Sequence, residues 1–533
     1  MVLLRIKCSH ILEQTSHRMF RYGKEELGIQ QALRIARGTE RAVLTTATRR
    51  RIHESAATVA TIARGEAAVY GINTGFGPLC HTIISPDQTR ELQRNILLSH
   101  SVGVGEALSP ELTRLMLLLK VHALAQGYSG IAPEVLDRIL WHLEQDVLPI
   151  VPEQGSVGAS GDLAPLSHLF LPLIGEGKVR YRNQVLPTAQ VLQQFQLPPL
   201  QLGPKAGLAL INGTQFIAAH AILVVDEMYN CLAHADLNAA LMIEGLRGSA
   251  APFDERLHQT RPHPGNQHVA QNVRRLLGQS QIMKAHENCQ KVQDPYSLRC
   301  VPQVHGASRQ AWLQLKNAVA IEINSVTDNP VVFDQGLTIS GGNFHGQPLA
   351  LPLDYACLGA SEIGNISDRR AYLSLEGRTE EVPKLLLRNT GVHSGFMLLQ
   401  YTAAALASEN KGLCFPASAD SIPTSLGQED HVSMGSIGGR KALRVCRNVL
   451  HILAIELLCA TQALDFQRPL KTSRLLEKAH RQIRAAIPFA EKDRIIAEDI
   501  QKARALIQSR ILLPPPPRRR SDRGAHYHSF EVY

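Results

Sequence analysis

Aromatic residues are scarce in this chain: Phe, Trp and Tyr make up 5% of its 533 residues. A core of this size must then be built from Ala, Leu, Ile and Val, which favours close-packed helices over a β-sandwich. The nine cysteines (8, 80, 231, 289, 300, 357, 414, 446 and 459) are odd in number and include no C-x-x-C pair. Neither a disulfide framework nor a zinc ribbon is indicated, and a reducing compartment suits them. Cys80-His81 and Cys300 read as packing residues. The 22 histidines contain no H-E-x-x-H, so no metal site is expected. An uncharged apolar window of about 18 residues is also lacking, so no membrane span is expected. The apolar start Val2-Leu3-Leu4 is too short for a secretory signal, which leaves the cytoplasm as the expected location. There is no internal repeat.

Positive charge is in excess by +9, but it is concentrated at the ends. Residues 1–24 carry +4 and residues 510–533 carry +3, leaving +2 for the interior. The body is close to neutral, so no basic docking face and no nucleic-acid partner are expected. Residues 1–22 read as an irregular lead. Residues 510–533, with Pro514 to Pro517 followed by three arginines, read as a solvated low-complexity tail whose deletion should leave activity unchanged.

Between the ends, apolar residues recur at helical spacing. Helices are expected near Leu92–Ser99, Leu112–Gly127, Pro133–Leu148 and Ser308–Ser325, with a long Ala-rich one running to about Glu244. Lys441–Ala463 is apolar nearly all round, with Val449, Leu450, Ile452, Leu453, Ile455, Leu457 and Leu458, which suits a bundle core or an oligomer interface. A short hairpin is expected around Lys178–Leu186. The fold class is mainly α: a long central helical bundle with a few short β-hairpins.

One stretch does not read as packing. In Gly155-Ser156-Val157-Gly158-Ala159-Ser160-Gly161-Asp162 small residues crowd together, and such a segment must be held by something larger. Its G-x-x-G-x-x-G spacing suggests a phosphate cradle, but Asp162 would repel phosphate and no Gly-Lys-Ser/Thr follows. The preceding Leu148-Pro149-Ile150-Val151-Pro152-Glu153 carries two prolines, against the central strand that a dinucleotide site needs.

Taken with five other loops, this stretch resembles the aromatic amino acid ammonia-lyases. The matching strings are Tyr70-Gly71-Ile72-Asn73-Thr74-Gly75-Phe76-Gly77, Ile211-Asn212-Gly213-Thr214, Gln293-Asp294-Pro295-Tyr296-Ser297-Leu298-Arg299, Gly341-Gly342-Asn343-Phe344-His345-Gly346 and Gln428-Glu429-Asp430-His431. They stand in the family's order between roughly residues 20 and 508. The resemblance implies a fumarase/aspartase-like architecture, with an N-terminal active-site part over 23–130 and the loop plus bundle over 131–509. It also implies that Ala159-Ser160-Gly161 cyclises to 4-methylidene-imidazol-5-one (MIO), so that no external cofactor is needed. Gly161 would offer an unhindered amide nitrogen to the Ala159 carbonyl carbon, Ser160 would lose its hydroxyl, and Asp162 would assist proton transfer.

The remaining roles follow from the same resemblance. Tyr70 would be the base, Arg299 would hold the substrate carboxylate through a bidentate pair, and Asn212, Gln293 and Tyr296 would orient substrate and ring. Phe344 would pack beside the ring. Ser99-His100 and Glu429 match the members that act on histidine, since a carboxylate and a histidine can pair both ends of an imidazole. The implied reaction takes L-histidine to trans-urocanate and ammonia, in a homotetramer whose sites draw on several subunits. A tyrosine or phenylalanine lyase, an aminomutase, and a catalytically silent relative remain the alternatives.

Overall fold

The computed structural model describes residues 19–80, 82–287, 291–377, 379, 381–517 and 523–533. Cys8, His81, Cys289 and Arg518 to Arg520, named above, lie outside the described residues.

Long helices dominate, as the shortage of aromatics implies. The Gly435–Asp465 helix packs along both Gln215–Gly245 and Gln347–Leu375. Val301–Glu322 closes the bundle against the latter two, and Met397–Leu413 flanks it. Small residues let these helices approach closely. Where the Pro264–Leu277 helix crosses Val301–Glu322, a Cβ at Gly265 would stand 2.2 Å from the Gly306 carbonyl oxygen, so no larger residue fits. The N-terminal part is added through Pro110–Leu124, which packs on Gln215–Gly245. Its start is a complete stop-and-start signal: Ser109 accepts from the Leu112 N–H at 3.3 Å, Pro110 opens the first turn and Glu111 faces the helix dipole.

Sheet is confined to short pairings. Lys178–Tyr181 and Gln184–Pro187 form the expected hairpin, extended by Leu148–Pro149. Pro152–Gln154 pairs antiparallel with Val104–Ala107. The two prolines thus sit in two-to-four-residue strands at sheet edges, where a missing N–H costs least.

Two expectations change, and a third is settled between its two alternatives. The lead is not irregular throughout: Phe20–Arg21 pairs with Ala42–Val43, and Phe20 and Tyr22 are 2% and 1% exposed. The tail is not a free extension, because Phe530 is fully buried and Tyr229 donates to Glu531 at 2.7 Å. The apolar helix around 449–458 is already covered within one chain, so it belongs to the bundle core. One helix, Gln215–Gly245, is long and apolar enough to cross a membrane, but it is the central strut, mostly buried and carrying Asp226, Asn230, His234, Asp236 and Asn238 inward.

A buried polar chain runs through the bundle. Glu456 pairs with Arg370, which meets His305 Nε2 at 3.4 Å, and His305 Nδ1 meets Asp236 at 2.8 Å. Asp236 in turn accepts from Arg309 at 2.6 Å. Such pairs are costly to bury and costlier to break.

Burial also pushes the imidazoles of His142, His220 and His234 down to about 4. The unfolded chain protonates its histidines near 6.5, so this stability is complete above that pH and is lost as pH falls toward 4. Each accounts for a loss of roughly 3 kcal/mol by the low-pH limit. The thermal midpoint should therefore drop between pH 7 and pH 5, and a flat profile over that range would contradict the burial.

Candidate active site

The small-residue loop lies between the Pro152–Gln154 strand and the Leu163–Phe170 helix, and it is held by backbone and buried side chains. Ser160 adopts φ 50° and Gly161 φ 78°, so two consecutive left-handed residues curl the segment back on itself. A left-handed serine costs about 1–2 kcal/mol, which is the kind of strain found where chemistry needs it. The loop rests on the Asn212-Gly213 string. The Asp162 N–H donates to the Gly213 carbonyl at 2.8 Å, and the Gly213 N–H points back at the Ser160 carbonyl at 3.4 Å. Asn212 Nδ2 donates to that same Ser160 oxygen at 2.8 Å. The Ser160 carbonyl thus sits under two donors.

Asp162 anchors the other side. Its carboxylate accepts from the Phe216 and Ile217 N–H groups, both at 3.0 Å, at the N-terminus of Gln215–Gly245, and from Ser156 Oγ at 3.3 Å. Burial nevertheless dominates and pushes its carboxyl up to about 7. An acid so placed can hold or release a proton near neutrality.

Above the loop opens a cavity of about 970 Å³, lined by Ala159 and Ser160 together with Tyr70, His100, Asn212, Phe344 and Glu429. Five of the predicted residues therefore converge on the loop although they come from five separate strings. Ser160 Oγ donates to Glu429 Oε1 at 2.6 Å, while Glu429 Oε2 accepts from Thr424 and Ser425 at 2.8 and 2.9 Å. Tyr70 accepts from the Gly77 N–H at 3.4 Å. Burial raises its phenol above the ordinary range, with Cys80 and Glu429 adding to the effect and the Gly77 N–H opposing it. His100 closes the Pro86–His100 helix, its Nδ1 2.9 Å from Ser99 Oγ. Burial lowers its imidazole, opposed by the Ile96 carbonyl and Glu429.

Gln293, Tyr296 and Arg299 do not reach this cavity. Gln293 lines a separate cleft with Arg247 and His286, and Tyr296 is 70% exposed. The Arg299 guanidinium stacks on Tyr296 at 4.4 Å and donates to the Asp294 carbonyl at 2.9 Å. Among the residues without a predicted role that line it are His345 and His431, stacked with centroids 5.8 Å apart. Both stand inside the quoted strings, which was the available signal. Among the described residues no group of His, Cys, Asp and Glu has the arrangement to hold a metal ion.

Bundle and loop define a class: a mainly helical protein that presents a strained backbone segment, rather than a side-chain nucleophile, to a largely apolar cavity with a few polar groups. The sequence profile of the aromatic amino acid lyases matches residues 27–485. The chain is 50% identical over 463 residues to the histidine ammonia-lyase of Sorangium cellulosum, covering 85% of this chain and 90% of that protein. It is 44% identical over 490 residues to that of Myxococcus xanthus, covering 92% and 96%. The crystal structure of histidine ammonia-lyase from Trypanosoma cruzi superposes with a TM-score of 0.85 at 41% identity, covering 93% of this chain and 94% of that one. Tyrosine aminomutase from Streptomyces globisporus superposes at 0.87 with 33% identity, covering 93% and 98%. The chain belongs to the aromatic amino acid lyase family.

Proposed function

We propose that the protein is a carbon–nitrogen lyase that removes ammonia from L-histidine to give trans-urocanate, using an MIO group made from Ala159-Ser160-Gly161. The observation that carries this reading is the convergence of Glu429 and His100 on the curled Ala159–Gly161 segment in one cavity. The segment fits the group. Its two left-handed residues fold it back on itself, no bulk surrounds the Gly161 nitrogen on its own residue, and the carbonyl that becomes the ring oxygen already has two donors. When formed, MIO supplies an electrophilic carbon for the substrate amine.

The chain's residues do the rest. Loss of the Ser160 hydroxyl frees Glu429 Oε1, which then faces the cavity with a lone pair for a substrate N–H. His100, kept neutral by its burial, offers the complementary partner, so an imidazole is paired at both ends where a phenyl ring would leave a carboxylate unpaired. Tyr70 is the base. As it stands its phenol is held too high to ionise easily, and a guanidinium brought close would lower it.

Arg299, Tyr296 and Gln293 supply that cation and the carboxylate clamp from a neighbouring copy, in a homotetramer. Leu351, Tyr355 and Leu358 support this assembly: they repeat at i, i+4, i+7 on Gln347–Leu375 and are 57%, 43% and 46% exposed. Leu398 and Tyr401 continue the apolar surface on the flanking helix. We place the enzyme in the cytoplasm.

The test is direct. Purified protein incubated with L-histidine should develop urocanate absorbance, and its intact mass should be lower than the translated sequence by two waters. Consumption of L-tyrosine or L-phenylalanine with L-histidine untouched would overturn the substrate. An unmodified mass with no turnover would favour a silent relative.

A further inference from the structure

Lys120 is the least expected residue near the loop. It sits on Pro110–Leu124 between Leu119 and Val121, and is 1% exposed. A buried ammonium costs several kcal/mol unless its N–H groups find partners. It donates to the Asn212 carbonyl at 2.7 Å and to the Ala209 carbonyl at 3.1 Å. The Asn212 carbonyl belongs to the same peptide unit as the Gly213 N–H, and that N–H points at the Ser160 carbonyl. The cation, the Asn212–Gly213 peptide and the Ser160 oxygen therefore form one hydrogen-bonded line. Polarisation runs along such a line, making the far N–H a stronger donor.

The Ser160 oxygen is where that donor matters. The nitrogen that must attack the Ala159 carbonyl carbon is the Gly161 nitrogen, and it shares its peptide unit with the Ser160 oxygen. Bond formation itself puts charge on the Ala159 oxygen, but the proton loss from Gly161 that it requires leaves an amidate whose charge is shared with the Ser160 oxygen. Donors already aimed there lower the barrier without having to reorganise.

We propose that Lys120 is a positioning residue for ring formation: it holds and polarises the Asn212–Gly213 peptide so that, with Asn212 Nδ2, it stabilises charge on the Ser160 carbonyl. This rests on the MIO reading above. Burial pushes the Lys120 ammonium down to about 7, with Asp328 and Asp162 favouring its charge and Lys205 opposing it. Lys205 is itself tied to Asp328 at 2.7 Å and to the Ser129 carbonyl at 3.0 Å, so it does not compete for Asn212. The simpler alternative is that Lys120 only caps the Ala206–Ile211 helix, a purely structural role that would alter stability and leave ring formation alone.

The test uses the full-length protein and Lys120→Gln, which keeps a donor of similar reach but removes the charge. Intact mass followed over time after expression reads the loss of two waters, and the thermal midpoint reads folding. The expected result is a folded variant whose water loss is slowed about 10-fold or more, against the 10²–10³-fold typical of deleting a direct oxyanion donor. Folded Lys120→Gln that matures at the wild-type rate overturns the proposal. Should Lys120→Gln not fold, Lys120→Arg decides: a folded, charged variant that loses both waters supports it, and one that loses neither overturns it. If the wild-type chain loses no water, the MIO reading itself fails, which is a different result.

Discussion

Gly161→Ala is expected to give a folded protein of unmodified mass with no detectable lyase activity. A Cβ at this position would lie 2.2 Å from the Gly213 carbonyl oxygen and 2.5 and 2.7 Å from its carbon and nitrogen. No flexible side chain is involved, so nothing can swing aside. The obstructing backbone is tied on one face to Lys120 and on the other to Asp162. The residue is also at φ 78°, where an L side chain costs about 1–2 kcal/mol. The loop would have to leave the Asn212–Gly213 shelf, taking the Ser160 carbonyl from its donors and Ser160 Oγ from Glu429. Activity should fall by more than the roughly 10²–10⁴-fold seen when one acid–base group is removed, because on the proposed reading the electrophile itself would be absent. Gly38→Ala is the control. It has nearly the same φ, 72°, but nothing within 4 Å of the added methyl, so it carries the conformational cost without the clash. Intact mass and urocanate production separate the two; a Gly161→Ala protein that still loses two waters would refute the argument.

The loop was legible in the sequence because its requirement is local. Ring closure as proposed would need an unhindered nitrogen, a leaving hydroxyl and a small acyl residue, and Gly161, Ser160 and Ala159 supply them in adjacent places. Helix bodies were legible for a similar reason, since apolar spacing placed one at Leu112–Gly127, although its Ser109-Pro110-Glu111 start was not read. Convergence was not local. Nothing in the spacing of Tyr70, His100 and Glu429 says that they line one cavity; the strings had to be matched as a set. The place of Arg299 was hidden more deeply, since in a single chain it stacks on exposed Tyr296 away from the cavity. Lys120 left no trace, because one lysine in a leucine-rich helix reads as a residue that reaches solvent. Its burial follows from a carbonyl pair 89 and 92 residues away. The apolar helix around 449–458 gave the right burial but could not say what covers it.

Removing residues 524–533 is expected to destabilise the protein strongly while leaving turnover by the folded enzyme intact. Composition alone made this end look solvated, since prolines and arginines dominate residues 510–523. The last ten residues follow a different logic. Phe530 is fully buried and packs against His268 with centroids 5.3 Å apart. Tyr533 lies against Tyr229 and Trp312 and donates to Asp226 at 2.6 Å, which also receives Arg510 at 2.7 Å. Glu531 meets His268 at 2.6 Å and lies 3.7 Å from Arg309, continuing the buried chain that passes through Asp236, His305 and Arg370. Burial raises the Glu531 carboxyl, but His268 and Arg309 outweigh it and hold the group below its usual range, so it is ionised at neutral pH. Truncation would uncover Trp312 and Tyr229 and take one carboxylate from a fully buried guanidinium. Phe530→Ala alone should cost about 3–5 kcal/mol. The ten-residue deletion should exceed that and lower the thermal midpoint by about 5 °C or more. The cavity over Ala159–Gly161 is lined by none of these residues, so kcat measured well below the midpoint should stay within about twofold. Glu531→Gln separates the contributions, because it keeps the packing and one acceptor while removing the charge opposite Arg309. A midpoint unchanged by the deletion would mean that the end segment rests on the bundle without holding it.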